Sequence, residues 1–310
     1  MSSRPAWTKL GRIFDPPGTL DWMVSHAALP TAVPLGGDLF RVFVSGRDRS
    51  SRAQIGSFRL DLAGVAEGGQ PRVDALSAEP VVRLGPLGAY DDSGVTGGCV
   101  VAHAGRLYHY FTGWSLGKTV PFYYFIGLAI SDDSGRTFIK HSAAPILDRS
   151  PADPLLTASP SVLVEGDVWK MWYVSGVRWI IEDGQPKHYY RVQYAESDDG
   201  IAWRRDGAAC LDFGPGEYAF GRPSVVKRGG LYRMWYSHRG AAYRLGYAES
   251  MDGRRWTRLD AHVGIDVGAD GWDSEMMEYP HVFEHRGRLY MLYNGNGYGR
   301  SGVGLAILAD

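Results

Sequence analysis

One short phrase recurs five times along the chain, and it constrains the fold more than any other feature. Each copy joins a small or apolar pair to an aromatic or apolar residue, usually followed by Ala and an acidic turn. The copies are Ile55-Gly-Ser-Phe58, Ile126-Gly-Leu-Ala-Ile-Ser-Asp-Asp133, Val192-Gln-Tyr-Ala-Glu-Ser-Asp-Asp199, Leu245-Gly-Tyr-Ala-Glu-Ser-Met-Asp252 and Val303-Gly-Leu-Ala306. Successive copies start 53 to 71 residues apart. Four strands with their turns need about that length, so the repeat predicts a β-propeller of five blades.

A second phrase precedes each copy of the first. It is an alternating aromatic strand that ends in Ser, Thr or Asn near Gly, and a Gly-containing hairpin signal comes before it. The five strands are residues 40–46, 108–113, 169–176, 232–237 and 290–295. The two phrases together predict the second and third strands of each blade.

The last blade lacks a fourth strand of its own, and the N-terminus matches what is missing. The segment that starts at Trp7-Thr-Lys-Leu10 closely echoes the fourth-strand segment that starts at Trp256-Thr-Arg-Leu259. A strand that completes the final blade closes the ring and removes its open edges. We therefore expect an all-β fold, a single five-bladed propeller domain over residues 1–310. The predicted blades are residues 22–88, 89–149, 150–213, 214–267, and 268–310 together with 5–15.

The composition restricts the kinds of molecule that the protein is expected to bind. The net charge of -1 gives no electrostatic footprint for nucleic acid, and no apolar run is long enough to cross a membrane. The N-terminus lacks the apolar core of a signal peptide, and the two cysteines, Cys99 and Cys210, form no disulfide framework. We expect a cytoplasmic protein whose partner is a small molecule or oligosaccharide.

Candidate site residues come from loops that a propeller places on one face. These are the loops between second and third strands and the entries to the first strands. Among the carboxylates, we expect Asp92 and Glu275 to form the catalytic acid–base pair, with Glu278 or Asp48 as alternates. The substrate-binding candidates are His26, Arg47, Trp114, Arg178, His188, Glu217, Arg222, His238, Arg239 and Asn294.

Other acids recur at matching places and are expected to be architectural. Asp91, Asp153 and Asp273 each lie seven residues before an aligned Gly or Pro, so we expect them to cap loops or to form ion pairs. The acidic turns at 131–138 and 197–203 are expected to hold hairpins through local hydrogen bonds.

The blade count, the blade phrase and the segments Asp92-Ser-Gly-Val95 and Trp272-Asp-Ser-Glu-Met276 resemble the five-bladed glycoside hydrolases of families 43 and 32. The whole chain is similar to bacterial relatives found with polysaccharide biosynthesis genes, through Trp22-Met-Val-Ser-His26, Tyr90-Asp-Asp-Ser-Gly94 and Tyr293-Asn-Gly-Asn-Gly297. The resemblance implies an acid in each of blades 1, 2 and 3. Blade 1 has Ser25-His26-Ala27 and blade 3 has Thr157-Ala-Ser-Pro160 at those positions, so the three-acid assignment does not carry over.

Arginines and histidines are numerous where these acids are missing, and Arg offers a planar fork matched to carboxylate or phosphate. Our leading hypothesis is a carbohydrate-active enzyme that cleaves a glycosidic bond of an anionic sugar by carboxylate acid–base chemistry. The second is phosphate-dependent glycosyl transfer, since the pocket also resembles that of the family 130 mannoside phosphorylases. The third is a non-catalytic sugar-binding propeller or an enzyme of specialised metabolism.

No cofactor is expected. Histidines near the axis leave one alternative open, because related enzymes hold a calcium ion there, whereas no ligand spacing supports zinc. Hydrogen-bonded histidines in a water-filled axis are the other interpretation.

Overall fold

Twenty β-strands and three short 3₁₀ turns follow one another in the computed structural model, which describes residues 6–309. Strand β1 spans Trp7–Phe14. Sixteen strands then form four consecutive antiparallel units of four. The first unit consists of β2 (Ser25–Gly36), β3 (Leu39–Arg47), β4 (Ala53–Asp61) and β5 (Arg72–Asp74). The second unit consists of β6 (Gly94–His103), β7 (Arg106–Leu116), β8 (Phe122–Ser131) and β9 (Ile139–Lys140).

The later units repeat this order. The third unit consists of β10 (Leu156–Glu165), β11 (Val168–Glu182), β12 (Gln185–Ser197) and β13 (Arg204–Ala209). The fourth unit consists of β14 (Ala219–Arg228), β15 (Leu231–Arg239), β16 (Tyr243–Ser250) and β17 (Thr257–Arg258). The 3₁₀ turns are Val65–Glu67, Asp260–His262 and Gly271–Asp273.

The fifth unit combines both ends of the described chain. It consists of β18 (Glu278–His285), β19 (Arg288–Asn294) and β20 (Val303–Leu308), and its fourth strand is β1. Strand β1 pairs antiparallel with β20, with Trp7 opposite Leu308, as the sequence echo predicts. The predicted limits of this blade at Pro5 and Asp310 lie outside the described residues. The structure is all-β, and the part described contains no helix long and apolar enough to span a membrane.

The hydrophobic core is divided into layers between successive units. One layer packs Phe43 of the first unit against Phe111 of the second, and another packs Trp172 of the third against Met234 of the fourth. A further layer joins the fifth unit back to the first, where Leu292 packs with Val42. Each large side chain buried in such a layer contributes roughly 1.5–3 kcal/mol to folding. The units are therefore held together mainly by face-to-face burial.

The glycine of the repeated phrase exists to make room for an aromatic ring. A Cβ atom on Gly246 would lie 2.5 Å from the Tyr236 ring, and one on Gly304 would lie 2.3 Å from Trp272. Protein interiors are too closely packed to absorb such a clash, so the recurring Gly is a packing requirement.

The Ser, Thr or Asn that ends the second phrase links one unit to the next. Ser45 Oγ accepts the backbone N–H of Gly97 at 2.9 Å, and Thr112 Oγ1 accepts that of Ser159 at 2.9 Å. Asn294 Oδ1 accepts the N–H of Leu29 at 2.9 Å and thereby ties the fifth unit to the first. With the bond from the N–H of Tyr279 to Ser237 Oγ, these bonds fix the inner strands β2, β6, β10 and β18 against their neighbours, and with them the residues that face the pocket.

Candidate active site

One pocket, with a volume of about 520 Å³, lies where the inner strands of all five units meet. Its lining includes Leu29 of β2, Thr96 of β6, Ser159 of β10, Gly221 of β14 and Tyr279 of β18. Because every unit contributes, the pocket lies on the common axis of the units. This is the position that the sequence predicts for a site built from loops of different blades.

A bulge in each inner strand shapes the floor of the pocket. In four of the strands the residue before the aligned Pro has a positive φ: 52° at Leu29, 49° at Ser159, 44° at Arg222 and 56° at Tyr279. Such a conformation costs a non-glycine residue roughly 1–2 kcal/mol, and it persists where surrounding contacts enforce it. For Tyr279 one such contact is the 2.8 Å hydrogen bond from its N–H to Ser237 Oγ.

Four of the predicted substrate-binding residues line the pocket. They are Arg47, Trp114, His188 and Arg239, contributed by the first four units in turn. None of the predicted acids is among the lining residues, and no other carboxylate of residues 6–309 is either. The pocket wall is therefore cationic and aromatic rather than acidic.

Arg47 and Arg239 are free to receive an anion. Neither forms an ion pair with a carboxylate of the described chain. The guanidinium of Arg239 lies over the rings of Tyr218, Tyr243 and Tyr298, with centroid distances of 5.4, 5.3 and 5.9 Å. Cation–π contact orients a guanidinium without neutralising it.

Two histidines beside these arginines are uncharged. Burial lowers the pKa of His188 to about 4, and Arg239 adds to the effect. Burial also lowers the pKa of His26 to about 4, assisted by Arg47 and Arg300. His26 does not line the pocket, and its Nδ1 lies 2.8 Å from Ser25 Oγ. A neutral imidazole can both donate to and accept from a sugar hydroxyl, and His188 is placed to do so.

Glu278 is the one predicted acid directly beneath the pocket wall. Its side chain is fully buried, and neither carboxyl oxygen meets a hydrogen-bond donor of the described chain in good geometry. Burial raises the pKa of Glu278 well above its usual value, against the opposing effects of the Arg239 charge and of the Tyr279 hydroxyl. Its neighbours Tyr279, Tyr243 and Arg239 all line the pocket. The arrangement favours the protonated form of this carboxyl group beside the pocket.

The structure places the other three catalytic candidates in loops outside the pocket lining. Asp48 accepts the N–H groups of Ser50 and Arg52 and pairs with the Arg52 guanidinium at 2.9 Å. Asp92 accepts the N–H of Gly88 at 3.0 Å and the hydroxyl of Ser93 at 2.8 Å. The side chain of Glu275 is exposed to solvent.

Glu217 and His238 belong to an ion-paired cluster rather than to the pocket. Glu217 accepts from both Nη atoms of Arg258, at 2.8 and 2.9 Å, and lies 2.8 Å from His238 Nδ1. Arg258 also binds Asp260. Within residues 6–309, Glu217, His238 and Asp260 are the one trio that could approach a metal ion together. Arg258 already supplies the positive charge there, so the cluster is not suited to a metal.

The ion pair of Glu217 with Arg258 matches the ion pairs formed by the recurring acids. Asp91 pairs with Lys140 at 2.5 Å, Asp153 with Arg205 at 3.1 Å and Asp273 with Lys9 at 2.7 Å. In each unit concerned, the cation comes two residues after the aromatic that opens the fourth strand. These contacts agree with an architectural role for the recurring acids and extend that role to Glu217.

Three further candidates make contacts away from the pocket. Arg178 lies over the Tyr189 ring, 4.0 Å from its centroid. Arg222 is buried and bonds only to neutral oxygens. Asn294 is fully buried, and its Nδ2 donates to Ala27 O and Gly302 O. These hydrogen bonds, with the one that Asn294 accepts from Leu29, hold the fifth unit to the first.

Residues absent from the sequence-based selection supply most of the pocket wall. Seven of them are aromatic, namely Phe122, Phe220 and the tyrosines Tyr124, Tyr190, Tyr243, Tyr279 and Tyr298. For Tyr279 a signal existed, because it precedes the aligned Pro280 and so occupies the bulge. Tyr124 and Tyr190 lie within β8 and β12, Tyr243 starts β16 and Tyr298 follows β19, and no repeat pattern marks these positions.

A calcium ion on the axis does not fit the residues found there. Below the pocket, the inner strands present Thr31, Cys99, Ser161, Ser224 and His281 at matching positions, and none is a carboxylate. Ca²⁺ prefers carboxylate and carbonyl oxygen, and the buried Arg222 guanidinium would repel it. The expectation that the protein needs no cofactor stays a prediction.

Comparison with known proteins gives both a sequence relative and a fold. The chain is 44% identical over 306 residues to the uncharacterised protein Rv1502 of Mycobacterium tuberculosis (strain ATCC 25618 / H37Rv), covering 98% of this chain and 100% of the relative. No family model matches the sequence.

Solved structures of glycoside hydrolases share the fold. A thermostable family 43 glycoside hydrolase superimposes with a TM-score of 0.67 at 15% identity, covering 95% of this chain and 92% of the other. A structure from family 130, which contains mannoside phosphorylases and hydrolases of β-1,2 mannosidic linkages in Candida mannan, gives 0.70 at 15% identity, covering 99% and 94%. The predicted likeness to these propeller glycoside hydrolases is confirmed.

Proposed function

This chain belongs to one family with the M. tuberculosis protein Rv1502, and on that premise we propose that it is a carbohydrate-active enzyme that cleaves a glycosidic bond of an anionic sugar. The observation that carries the proposal is the fully buried carboxyl group of Glu278, which forms no ion pair, beside a pocket lined by two unpaired arginines. The glycoside hydrolase and phosphorylase neighbours support the reaction class, while the choice of an anionic sugar rests on the pocket alone.

Glu278 is suited to the role of proton donor. Breaking a glycosidic bond requires a proton on the leaving oxygen, and a carboxyl group that stays protonated near neutral pH can supply it. Burial beneath Tyr279 and Tyr243 provides this condition for Glu278. Asp48, Asp92 and Glu217 lie outside the pocket lining and already accept hydrogen bonds from other groups, so they do not meet this condition.

The lining suits a sugar that carries negative charge. Trp114 and the pocket tyrosines offer flat faces for the apolar side of a pyranose ring, while Arg47 and Arg239 offer paired N–H donors for a carboxylate or phosphate. Since the two arginines belong to units that are not consecutive, they approach a bound ligand from different sides. Neutral His188 would hydrogen-bond a hydroxyl.

A second candidate is phosphate-dependent transfer of the glycosyl group. It is favoured by the lack of any carboxylate among the described pocket lining, because a hydrolase of this kind needs a second carboxyl group to activate water or to attack. Inorganic phosphate held by an arginine could attack the sugar carbon instead. The glycosidic C–O bond would break and a C–O bond to phosphate would form. The hydroxyl of Tyr279, which lines the pocket, would give its proton to the leaving oxygen and take one from Glu278 behind it.

We also infer that the five units are the blades of one closed propeller. The support is the core layer and the Asn294 bond between the fifth unit and the first. A cytoplasmic location and a place in polysaccharide metabolism are proposed from the sequence alone.

The test combines ligand binding and turnover. Purified protein would be titrated calorimetrically with glucose and with glucuronate, and then assayed on aryl glycosides of both sugars with and without phosphate. We expect binding of the acidic sugar only, lost at least tenfold in Arg239→Met and kept in Arg49→Met, whose arginine is exposed.

The outcomes separate the candidates. Product release without phosphate supports hydrolysis, and release only with phosphate supports transfer. Binding without turnover under both conditions favours the sugar-binding alternative. Equal affinity for the neutral and the acidic sugar would overturn the choice of an anionic substrate.

A further inference from the structure

Beneath the pocket floor, Arg222 carries a positive charge that no carboxylate of residues 6–309 balances. Its side chain is 1% exposed. Its Nη2 donates to Pro30 O at 2.9 Å and to Thr31 Oγ1 at 2.7 Å, and its Nη1 donates to Gly97 O at 3.4 Å. All three acceptors are neutral. Burial lowers the pKa of Arg222 to about 10, so the guanidinium remains charged at neutral pH.

Nothing else described near this charge is negative. The groups whose negative form would act on Arg222 are Cys99 and Tyr279. Burial raises the pKa of the Cys99 thiol to about 12 and that of Tyr279 well above its usual value, which leaves both neutral. A buried charge without a partner is strongly unfavourable, and proteins normally pair it. The three oxygen acceptors satisfy hydrogen bonds of the guanidinium but not its charge.

Close to this unpaired charge, His109 has two ring nitrogens without a hydrogen-bond partner in the described chain. The imidazole of His109 is fully buried between the rings of Phe43 and Phe138, and both its nitrogens lack a hydrogen-bond partner in the described chain. Its pKa is lowered to about 3, first by burial and then by the charge of Arg222, so the ring is neutral and offers one N–H. Buried polar atoms are rarely left unsatisfied, and such an atom points to an unseen partner.

The two groups meet at Gly97. Arg222 reaches the carbonyl of Gly97, and a Cβ atom on Gly97 would lie 3.9 Å from His109 Nε2. The neighbours in sequence, Gly221 and Thr96, line the pocket. The guanidinium and the imidazole therefore flank one small residue directly under the pocket floor.

We propose that Arg222 and His109 form a binding site for one monovalent inorganic anion, separate from the sugar pocket above it. One negative charge would neutralise the guanidinium, and the anion would accept the N–H of His109. His281, whose Nε2 also lacks a partner among the described residues, lies near enough to Arg222 to feel its charge and completes the surroundings.

Bromide is the probe for the site. Crystals grown in sodium bromide would be measured at the bromine absorption edge. We expect an anomalous peak within hydrogen-bonding distance of Arg222 and His109. Peaks confined to the surface, or to Arg47 and Arg239 in the pocket, would overturn the proposal.

A solution measurement covers the case in which a variant changes the crystals. The thermal midpoint of the wild type should rise by about 2–5 °C when sodium gluconate is replaced by sodium chloride at equal ionic strength, because the anion binds the folded state. His109→Phe, which keeps an aromatic ring between Phe43 and Phe138, should lose this rise, as should Arg222→Met if it folds. Arg49→Met should keep it. The same rise in His109→Phe as in the wild type, or no rise in the wild type, would contradict the site.

Discussion

Glu217 and Glu278 stand at the entrances of neighbouring inner strands, yet their carboxyl groups meet opposite surroundings. The carboxylate of Glu217 accepts hydrogen bonds from Arg258 and from the N–H of Gly214, and it contacts His238. Glu278 is more deeply buried and has no such partner in the described chain. The pKa of Glu217 is lowered, since its hydrogen bonds outweigh its burial, while that of Glu278 is raised by burial. A paired acid is committed to the fold, whereas an unpaired one keeps its proton available for chemistry.

The largest expected effect comes from removing the acid function of Glu278. Glu278→Gln should lower turnover by roughly 10²–10⁴-fold, the usual contribution of a general acid, because the amide cannot donate the proton to the leaving oxygen. Steady-state rates on the substrate found by the binding screen would measure it. Glu217→Gln is the matched control and should retain turnover within about threefold. Equal losses in the two variants would remove the distinction between the two glutamates.

For the free energy of unfolding we expect the reverse order, with a larger loss in Glu217→Gln than in Glu278→Gln. Glu217→Gln removes a charged partner from Arg258 and should cost about 1–3 kcal/mol in the free energy of unfolding. Glu278→Gln replaces a protonated carboxyl by a neutral amide of the same shape and should be much less costly. Denaturant titrations followed by tryptophan fluorescence would compare the two, and a Glu278→Gln protein that is the less stable of the pair would contradict this assignment.

The pH dependence of stability sharpens the comparison. Because the folded-state pKa of Glu278 is raised, the folded protein holds a proton that the unfolded chain releases above about pH 4.3. This contribution is fully present below that pH and is lost as pH rises toward the folded-state pKa, by at most about 1.4 kcal/mol per pH unit. Glu278→Gln should remove that decline. Glu217 acts in the opposite direction, since its contribution is lost as pH falls through its lowered folded pKa.

The smallest loss of stability is expected for the ion pair whose cation is most exposed to solvent, Lys9 with Asp273. Lys9→Met removes the partner of Asp273, but the lysine is partly exposed and Asp273 keeps its hydrogen bond from Tyr293 Oη. A loss of about 0.5–1 kcal/mol is expected from thermal unfolding, less than for Glu217→Gln. A larger loss than in Glu217→Gln would show that closure by β1 depends on this pair.

The repeats allow much of the fold to be predicted, because they encode the contacts that build it. The recurring Gly makes room for a ring, and the recurring Ser, Thr or Asn binds the next inner strand. Even the echo between Trp7 and Trp256 corresponds to a shared contact, since Lys9 and Arg258 clamp equivalent acids. Local patterns suffice here because the same short-range geometry is used in each unit.

The site is harder to predict, because it depends on which side chains find partners across units. Asp48, Asp92 and Glu278 look equivalent in the sequence, and only the fold shows that two are hydrogen-bonded and one is not. Glu217 shows the same limit, because its partner Arg258 lies 41 residues away. The cation recurs in the sequence, but Glu217 stands one position away from the alignment of the recurring acids, so the repeat does not mark it as their equivalent.

Strand β1 is synthesised long before the strand with which it pairs. Its partner β20 lies at the other end of the described chain, with Trp7 opposite Leu308. On the ribosome, β1 emerges well before β20 and must wait unpaired until β20 has been made, while the four units between them can form as they appear. During that interval β18 and β19 have also not yet been made, so the first unit exposes the face that later packs against them. The period before closure is therefore when the nascent chain is most open to chaperones and to aggregation.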